Sequence, residues 1–484
     1  MNRRMPNTVN RIELPEQLME YMRTGWVERP LEVSPVEQIE RYAVRRAALS
    51  AQFPGQTLVV PTGYPPIRAN DTEYRFRPGT DFVWLTGQHE PEAVLVLHPR
   101  GTDGHDAVLY QRPRSSKESD EFYRNSVVGE LWIGRRLSPE ETSVELGIDV
   151  ADLDQLDGIL AGLDAGRTRV LRGMEPSVDA AVAAVESSGE RDQELAIALS
   201  ELRMVKDDWE IAQLRDAVGL TVLGFEDVWR TLPADRVVSE RLAEGIFGLR
   251  ARHDGNDVGY LSIVGGGPNA TKLHWMRNDG DIRPGELALM DMGVENNALY
   301  TADVTRTFPV SGEFTPLQRE VYDIVYAAQQ AGIDIVKPGA DHSEIMAACA
   351  EVLAQGLHDI GLLPVSVAEA LDKESMLYWR WSLHGVSHHL GIDVHDCAQA
   401  RREKYRDGTI EEGYVFTVEP GLYFQEDDAF APAELRGVGV RIEDDILVTA
   451  DGPEILSAGL PRRSHEVERW IAEQRSFGFR LPGA

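Results

Sequence analysis

At 484 residues the chain is about three times the usual domain length, which calls for at least two domains with sizeable cores. Its composition, 42% hydrophobic and 27% charged, is that of a globular protein, and a formal charge of -31 argues against a nucleic-acid backbone or an anionic membrane surface as the main partner. Only Cys349 and Cys397 are present, too few for a disulfide framework and in keeping with a reducing compartment.

Residues 1–38 are polar and proline-punctuated, with an amphipathic stretch at 14–22, and are expected to be an N-terminal extension packed on something larger. The start Met1-Asn2-Arg3-Arg4-Met5-Pro6 is basic, but no apolar segment follows it as in a secretory signal. No run of eighteen apolar residues occurs, so a soluble, cytoplasmic protein is expected. A helix rich in Glu, Arg and Ala covers 38–52. Strands are expected at 56–61, 82–85, 93–97 and 107–110, and helical material at 140–150 and 176–200 alternates with Val170-Leu171. This is an α/β (α+β) layering, placed at 39–205. Gly265-Gly266-Gly267 lacks the lysine and hydroxyl of a phosphate loop and reads as a tight turn.

A second domain is expected over 206–460. Leu214, Val218, Val222 and Phe225 recur at helical spacing in a helix reaching Thr231, and a second helix covers 236–252. Strands follow at 258–264, 285–291 and 301–307. Thr315-Pro316 opens a helix that Lys337-Pro338-Gly339 closes, and another spans 343–357. The stretch 358–380 is an unassigned excursion. Strands at 413–421 and 439–449 come last, before a tail, 461–484, expected to be loosely attached.

The chain is organised around the run Trp381-Ser382-Leu383-His384-Gly385-Val386-Ser387-His388-His389-Leu390-Gly391-Ile392-Asp393-Val394-His395-Asp396. Four of its twelve histidines fall here. Imidazole ligates metals at neutral pH, so the cluster points to a metal site, against the plainer options of a surface histidine patch or core histidines. Partners must come from other elements, and Asp291, Asp303, Glu419 and Glu443 are the candidates. Each alone is ordinary: an aspartate at a strand end is commonly a cap, and Glu443 could simply pair with Arg441. With His388 they make four hard oxygen donors and one nitrogen, a set suited to Mn²⁺, Co²⁺, Fe²⁺ or Zn²⁺. Five ligands exceed one tetrahedral site and suit two ions sharing carboxylates.

The runs DMGVENNALYTADVTRTFPVSG, HGVSHHLGIDVHD, TVEPGLY and GVRIEDDILVT resemble the metal-dependent "pita-bread" aminopeptidases, and within them the aminopeptidase P group. Asp71-Thr72-Glu73-Tyr74-Arg75-Phe76-Arg77, Gly87-Gln88-His89-Glu90-Pro91-Glu92-Ala93 and the stretch Pro268-Asn269-Ala270 to His274 extend the likeness over most of the chain. The resemblance implies an N-terminal α/β domain before a pseudo-symmetric pita-bread catalytic domain. It also implies two divalent ions, most readily Mn²⁺, bridged by Asp303 and Glu443, with Asp291 on one ion and His388 and Glu419 on the other. Glu419 would double as a proton shuttle, His274 and His395 would hydrogen-bond the substrate, and His384 would shape a proline pocket. Arg441 would orient a bridging carboxylate. The implied reaction removes an N-terminal residue from peptides with proline second, in a homodimer or homotetramer. Alternatives are a prolidase-like dipeptidase and, from another class, a metal-free regulatory or interaction protein. Methionine aminopeptidase is disfavoured by the large N-terminal domain, and creatine amidinohydrolase by retention of all five ligands. Two departures bear on cleft shape: an Asp291–Asp303 interval one residue longer than usual, and the long 358–380 segment.

Overall fold

A computed structural model of the chain describes residues 14–27, 31–70, 72–182 and 188–478. The first thirteen residues of the expected extension, Asp71, part of the 176–200 helical stretch and the last six residues of the tail lie outside them. The chain divides into two compact units, Met1–Leu202 and Arg203–Ala484.

In the first unit, helix α1 (Glu16–Met22) buries Met19 against Phe122 and Tyr123, so the described part of the extension is packed. Helix α2 (Ile39–Gln52) precedes strand β1 (Thr57–Pro61), which is buried throughout. The apolar quartet Phe82-Val83-Trp84-Leu85, expected as a strand, lies in helix α3 (Thr80–Thr86). A short run that is buried on every side has no periodicity to separate helix from strand. Other features supply the helix end: Gly87 takes a φ of +72°, and the buried Arg45 and Arg46 of α2 donate to the carbonyls of Trp84 and Leu85 (3.3 and 2.8 Å). Strands β2 (Val94–Pro99) and β3 (His105–Gln111), helix α4 (Pro139–Leu146), and strands β4 (Asp149–Asp152) and β5 (Thr168–Val170) complete a five-stranded sheet in the order β4-β3-β2-β1-β5. Its central pairs are antiparallel and its outer pairs parallel, a mixed α/β layer.

The second unit repeats one plan twice: a helix pair followed by antiparallel strands. Helices α5 (Asp208–Thr231) and α6 (Glu240–Asp254) precede β6 (Ile263–Gly266), β7 (Leu287–Met292) and β8 (Val304–Pro309). Helices α7 (Pro316–Ile335) and α8 (Ser343–Asp359) precede β9 (Val415–Val418), β10 (Gly421–Phe424), β11 (Val438–Arg441), β12 (Asp444–Thr449) and β13 (Gly452–Ile455). The sheets run β6-β7-β8, β9-β12-β13 and β10-β11, all antiparallel. This is the pita-bread architecture. Capping boxes set two of the helix starts, Asp207 with Glu210 on α5 and Thr315 with Gln318 on α7.

Three expectations change here. The strand expected over 258–264 is shorter, beginning at Ile263. The continuous strand expected over 439–449 is broken between Arg441 and Asp444, and its halves join different sheets. The tail is not loose: helix α9 (Ser464–Phe477) buries Val467, Trp470 and Ile471 in the main core, with the Trp470 ring stacked on Phe308 (centroids 5.7 Å apart). The 358–380 excursion folds back through Ala370, Tyr378 and, just beyond it, Trp381, all in the same core. Among the described residues no helix is long and apolar enough to cross a membrane.

Trp470→Ala should therefore cost about 3 kcal/mol, the usual price of truncating a buried aromatic. Urea denaturation would read this as a lower midpoint with little change in slope; an unchanged midpoint would mean that α9 does not hold the core.

Candidate metal centre

The histidine run lies alongside β9 as an added strand. Thr417 N donates to His388 O (2.9 Å), Leu390 N to Val415 O (3.0 Å) and Glu419 N to Val386 O (2.9 Å), which sets His388 beside Glu419. Asp291 on β7 and Asp303 just before β8 come together because the two strands are antiparallel, with Asp291 opposite Thr305. Glu443 sits in the break between β11 and β12, its N–H held by Thr305 O at 3.0 Å.

All five side chains converge. His388 Nε2 lies 3.3 Å from Asp303 Oδ2, 3.4 Å from Glu419 Oε1 and 4.0 Å from Glu443 Oε1. Two groups of potential ligand atoms, each within 4.8 Å of one another, share Glu443: Asp291 with Asp303 and Glu443, and His388 with Glu419 and Glu443. The His388 Nδ1–H can donate only to the carbonyl of His389 (3.2 Å), which leaves Nε2 as the nitrogen that faces the carboxylates.

The electrostatics show what the donors lack. Burial, with the charge of Asp303, pushes the Glu419 carboxyl up to about 7, although His388 and Arg441 pull the other way. Glu443 is driven well above the carboxylate range by burial and by Asp303, Glu419 and Asp291. Asp291 is raised by burial and by Asp303, against the pull of Arg441. Burial works against the charged form of His388, but its bond to Asp303 and the charges of Glu419 and Asp303 push it up to about 9. The Tyr260 hydroxyl lies 2.6 Å from oxygens of both Asp291 and Asp303. One O–H proton cannot serve two ionised carboxylates. Three buried carboxylates and the half-buried Glu419, with a single nearby guanidinium, fit two divalent cations in charge as well as in donor type.

Arg441 donates to Asp291 Oδ2 (2.5 Å), to Thr305 Oγ1 (3.1 Å) and to Tyr423 Oη (3.0 Å). It meets Glu443 only through Thr305, whose hydroxyl donates to Glu443 Oε2 (2.6 Å). The carboxylate it holds directly is thus that of Asp291, not one of those expected to bridge. His384 accepts from Tyr423 Oη at Nε2 (2.9 Å), while its Nδ1–H donates to Gly385 O (2.8 Å) and stands 3.8 Å from Glu419. Burial and Arg441 lower its pKa to about 4. The His395 ring packs edge-on to His388 (4.3 Å), and His274 is exposed on the same wall. His274, His384, His388, His395, Arg441 and the four carboxylates border one cavity of about 910 Å³. Asp396, from the same run, turns away to pair with Arg203 (3.2 Å) and Lys206 (3.7 Å).

Residues 212–450 match the family model described as metallopeptidase family M24, and residues 42–171 match that for the aminopeptidase P N-terminal domain. Xaa-Pro aminopeptidase 1 of Streptomyces coelicolor is 52% identical over 94% of this chain and 92% of its own. The chain belongs to metallopeptidase family M24. Other M24 likenesses include Xaa-Pro aminopeptidase of Escherichia coli, 33% identical over 90% of this chain and 98% of that one. Among solved structures, a variant of Escherichia coli aminopeptidase P in complex with substrate superposes with a TM-score of 0.80 at 31% identity. That match covers 92% of this chain and all of the other.

Sequence reasoning missed Tyr260 and Thr305. Tyr260 lies in the loop before β6, and nothing in the alternation of β8 marks Thr305 as a hydroxyl that touches the acidic cluster. His389 also carried no signal of its place: it is fully buried, stacked on His342 and ringed by Tyr405, Tyr414 and Phe416, with neither ring nitrogen hydrogen-bonded.

Two outcomes follow for the M24 centre. Because the folded chain holds protons on Glu419 and His388 that the unfolded chain releases, the metal-stripped protein loses stability as pH rises from about 4.5 to about 9. Divalent ions displace those protons, so calorimetry should find a Tm difference between Mn²⁺-loaded and chelator-treated protein that widens from about pH 6 to about pH 9; a gap that narrows would contradict this electrostatic account. For His389, whose pKa burial and Lys206 depress well below 6.5, folding forfeits a proton in acid. His389→Phe should then match the parent near pH 7 and exceed it in Tm increasingly below about pH 6.5, with peptide turnover retained.

Proposed function

We propose that the chain is a dinuclear-metal exopeptidase that releases the N-terminal residue of peptides with proline second. The observation that carries this reading is the convergence of Asp291, Asp303, His388, Glu419 and Glu443 in an open cavity, within a chain 52% identical to an Xaa-Pro aminopeptidase. Two divalent ions held by these five side chains would polarise the scissile carbonyl and acidify a water. Manganese is the proposed metal, since hard carboxylate donors outnumber imidazole four to one.

Glu419, on the wall of the cavity beside His388, is assigned to take a proton from the water and return it to the leaving imide nitrogen. The scissile nitrogen is the proline's own, a tertiary amide without a hydrogen, and gaining this proton lets it leave as a neutral secondary amine. Arg441 fixes Asp291, and Thr305 fixes Glu443, which keeps both carboxylates pointing into the cavity. His384, held neutral, presents a ring locked by Tyr423 and Gly385 as a wall for the pyrrolidine. His274 and His395 border the cavity and are assigned to hydrogen bonds with the peptide. The free amino terminus of a peptide can approach the metal-ligating carboxylates, which favours exopeptidase cleavage. The domain limits proposed are 39–205 and 206–460. A cytoplasmic location and a homodimer or homotetramer complete the reading.

Mass spectrometry of a tripeptide panel tests it. Release of the first residue is expected only when proline is second and only with a divalent ion present, with Mn²⁺ restoring chelator-treated protein. Glu419→Gln should lower kcat by about a hundredfold or more. Cleavage indifferent to the second residue, or confined to dipeptides, would count against this assignment.

A further inference from the structure

The first unit holds a cavity of about 540 Å³ between α2 and the β2–β3 hairpin, sharing no lining residue with the peptidase cavity. Its wall contains Arg46, which is only 8% exposed. Arg46 Nη1 donates to Leu85 O, and among the described residues no carboxylate pairs with the guanidinium. Burial alone lowers its pKa, to about 10, with no acid near enough to raise it. An arginine keeps its proton in a protein, so this buried charge wants a counter-ion.

A second guanidinium faces the same space. Arg100, in the hairpin turn, has its Nε 3.5 Å from the exposed Asp106. A Cβ built on Gly104, whose φ is +106°, would meet Arg100 Nη2 at 3.5 Å and Ser50 Oγ at 3.7 Å, so both groups border the room that this glycine leaves. His105 Nε2–H can donate only to Gln56 O (2.6 Å), so Nδ1 accepts from the Ser50 hydroxyl (2.6 Å), and this pair forms a fixed polar wall. Asp103 is the one carboxylate on the wall, and it accepts from Thr102 (3.3 Å). With Arg100 set against Asp106 and with Asp103 on the wall, Arg46 is the lining charge that no carboxylate among the described residues pairs with.

We propose that this cavity binds a phosphate group, carried as orthophosphate or as a small phosphomonoester. Arginine forks match the oxygens of a phosphate, both arginines line this cavity, and its volume lies in the range of small-molecule sites. The test titrates the metal-loaded full-length protein with orthophosphate and, separately, with glycerol 3-phosphate, by calorimetry at fixed ionic strength. Saturable binding of at least one is expected, weakened about tenfold or more in Arg100→Gln while Xaa-Pro turnover stays unchanged. Tighter binding of the ester identifies a phosphomonoester as the ligand, and tighter binding of orthophosphate identifies the free ion. Arg46→Gln should abolish binding; because Arg46 also caps α3, a thermal melt accompanies that variant, and the exposed Arg100 decides the matter. Absence of saturable binding by either probe overturns the proposal. So does binding that Arg100→Gln leaves intact, or that is lost on removing the metal ions instead.

Discussion

Repulsion among four closely set carboxylates, three of them buried and Glu419 half-buried, is the constraint from which the second unit takes its form. At the separations seen between Asp291, Asp303, Glu419 and Glu443, like charges in a poorly hydrated site cost several kcal/mol unless something answers them. The chain answers in part. Arg441 neutralises Asp291, His388 leans on Asp303 and Glu419, and the hydroxyls of Tyr260, Thr305 and Thr417 supply donors. What remains is the excess that two divalent cations offset, so the strain that opposes folding is the same quantity that gives the centre its affinity.

Such a cluster holds only if its strands cannot drift apart, and the seam between β8 and the β11–β12 segment shows how that is arranged. Thr305 bonds Glu443 through both backbone and hydroxyl. Thr307 Oγ1 accepts from Arg441 N (3.1 Å) and donates to Arg441 O (3.0 Å). Between them Arg306, fully buried, pairs with the equally buried Asp444 (2.6 Å) and donates to Glu443 O (2.6 Å). Asp303 N donates to Asp445 Oδ2 (3.1 Å). The break at Ile442-Glu443 is part of this seam: it lets β11 and β12 enter different sheets while Glu443 turns into the site.

Much of this was legible in the chain, for physical reasons that differ by element. Helices α5, α7 and α8 carry periodic apolar faces, and α5 and α7 also carry capping boxes, signals that are local and additive. The five metal-ligand candidates stood out because unlike elements each offered one hard donor around a histidine run. Contacts set by tertiary packing were not legible. The quartet 82–85 became a helix because Arg45 and Arg46 receive its carbonyls, and α9 joined the core because Phe308 offers Trp470 a flat partner. Tyr260 and Thr305 matter through groups more than thirty residues away, beyond any local pattern.

The two histidines of the run that flank Gly385-Val386-Ser387 make the same point within one motif. Both donate Nδ1–H to a main-chain carbonyl, of Gly385 for His384 and of His389 for His388, so both present Nε2. Their fates diverge through what Nε2 meets. His388 faces Asp303 and Glu419, which against its burial push it up to about 9, whereas His384 bonds the Tyr423 hydroxyl, and burial, with Arg441 behind that hydroxyl, lowers it to about 4. One ring is therefore drawn to positive charge and the other kept neutral and aromatic. A single imidazole type thus supplies a candidate metal donor where carboxylates surround it and an uncharged wall where burial and Arg441 act on it, both on the same cavity.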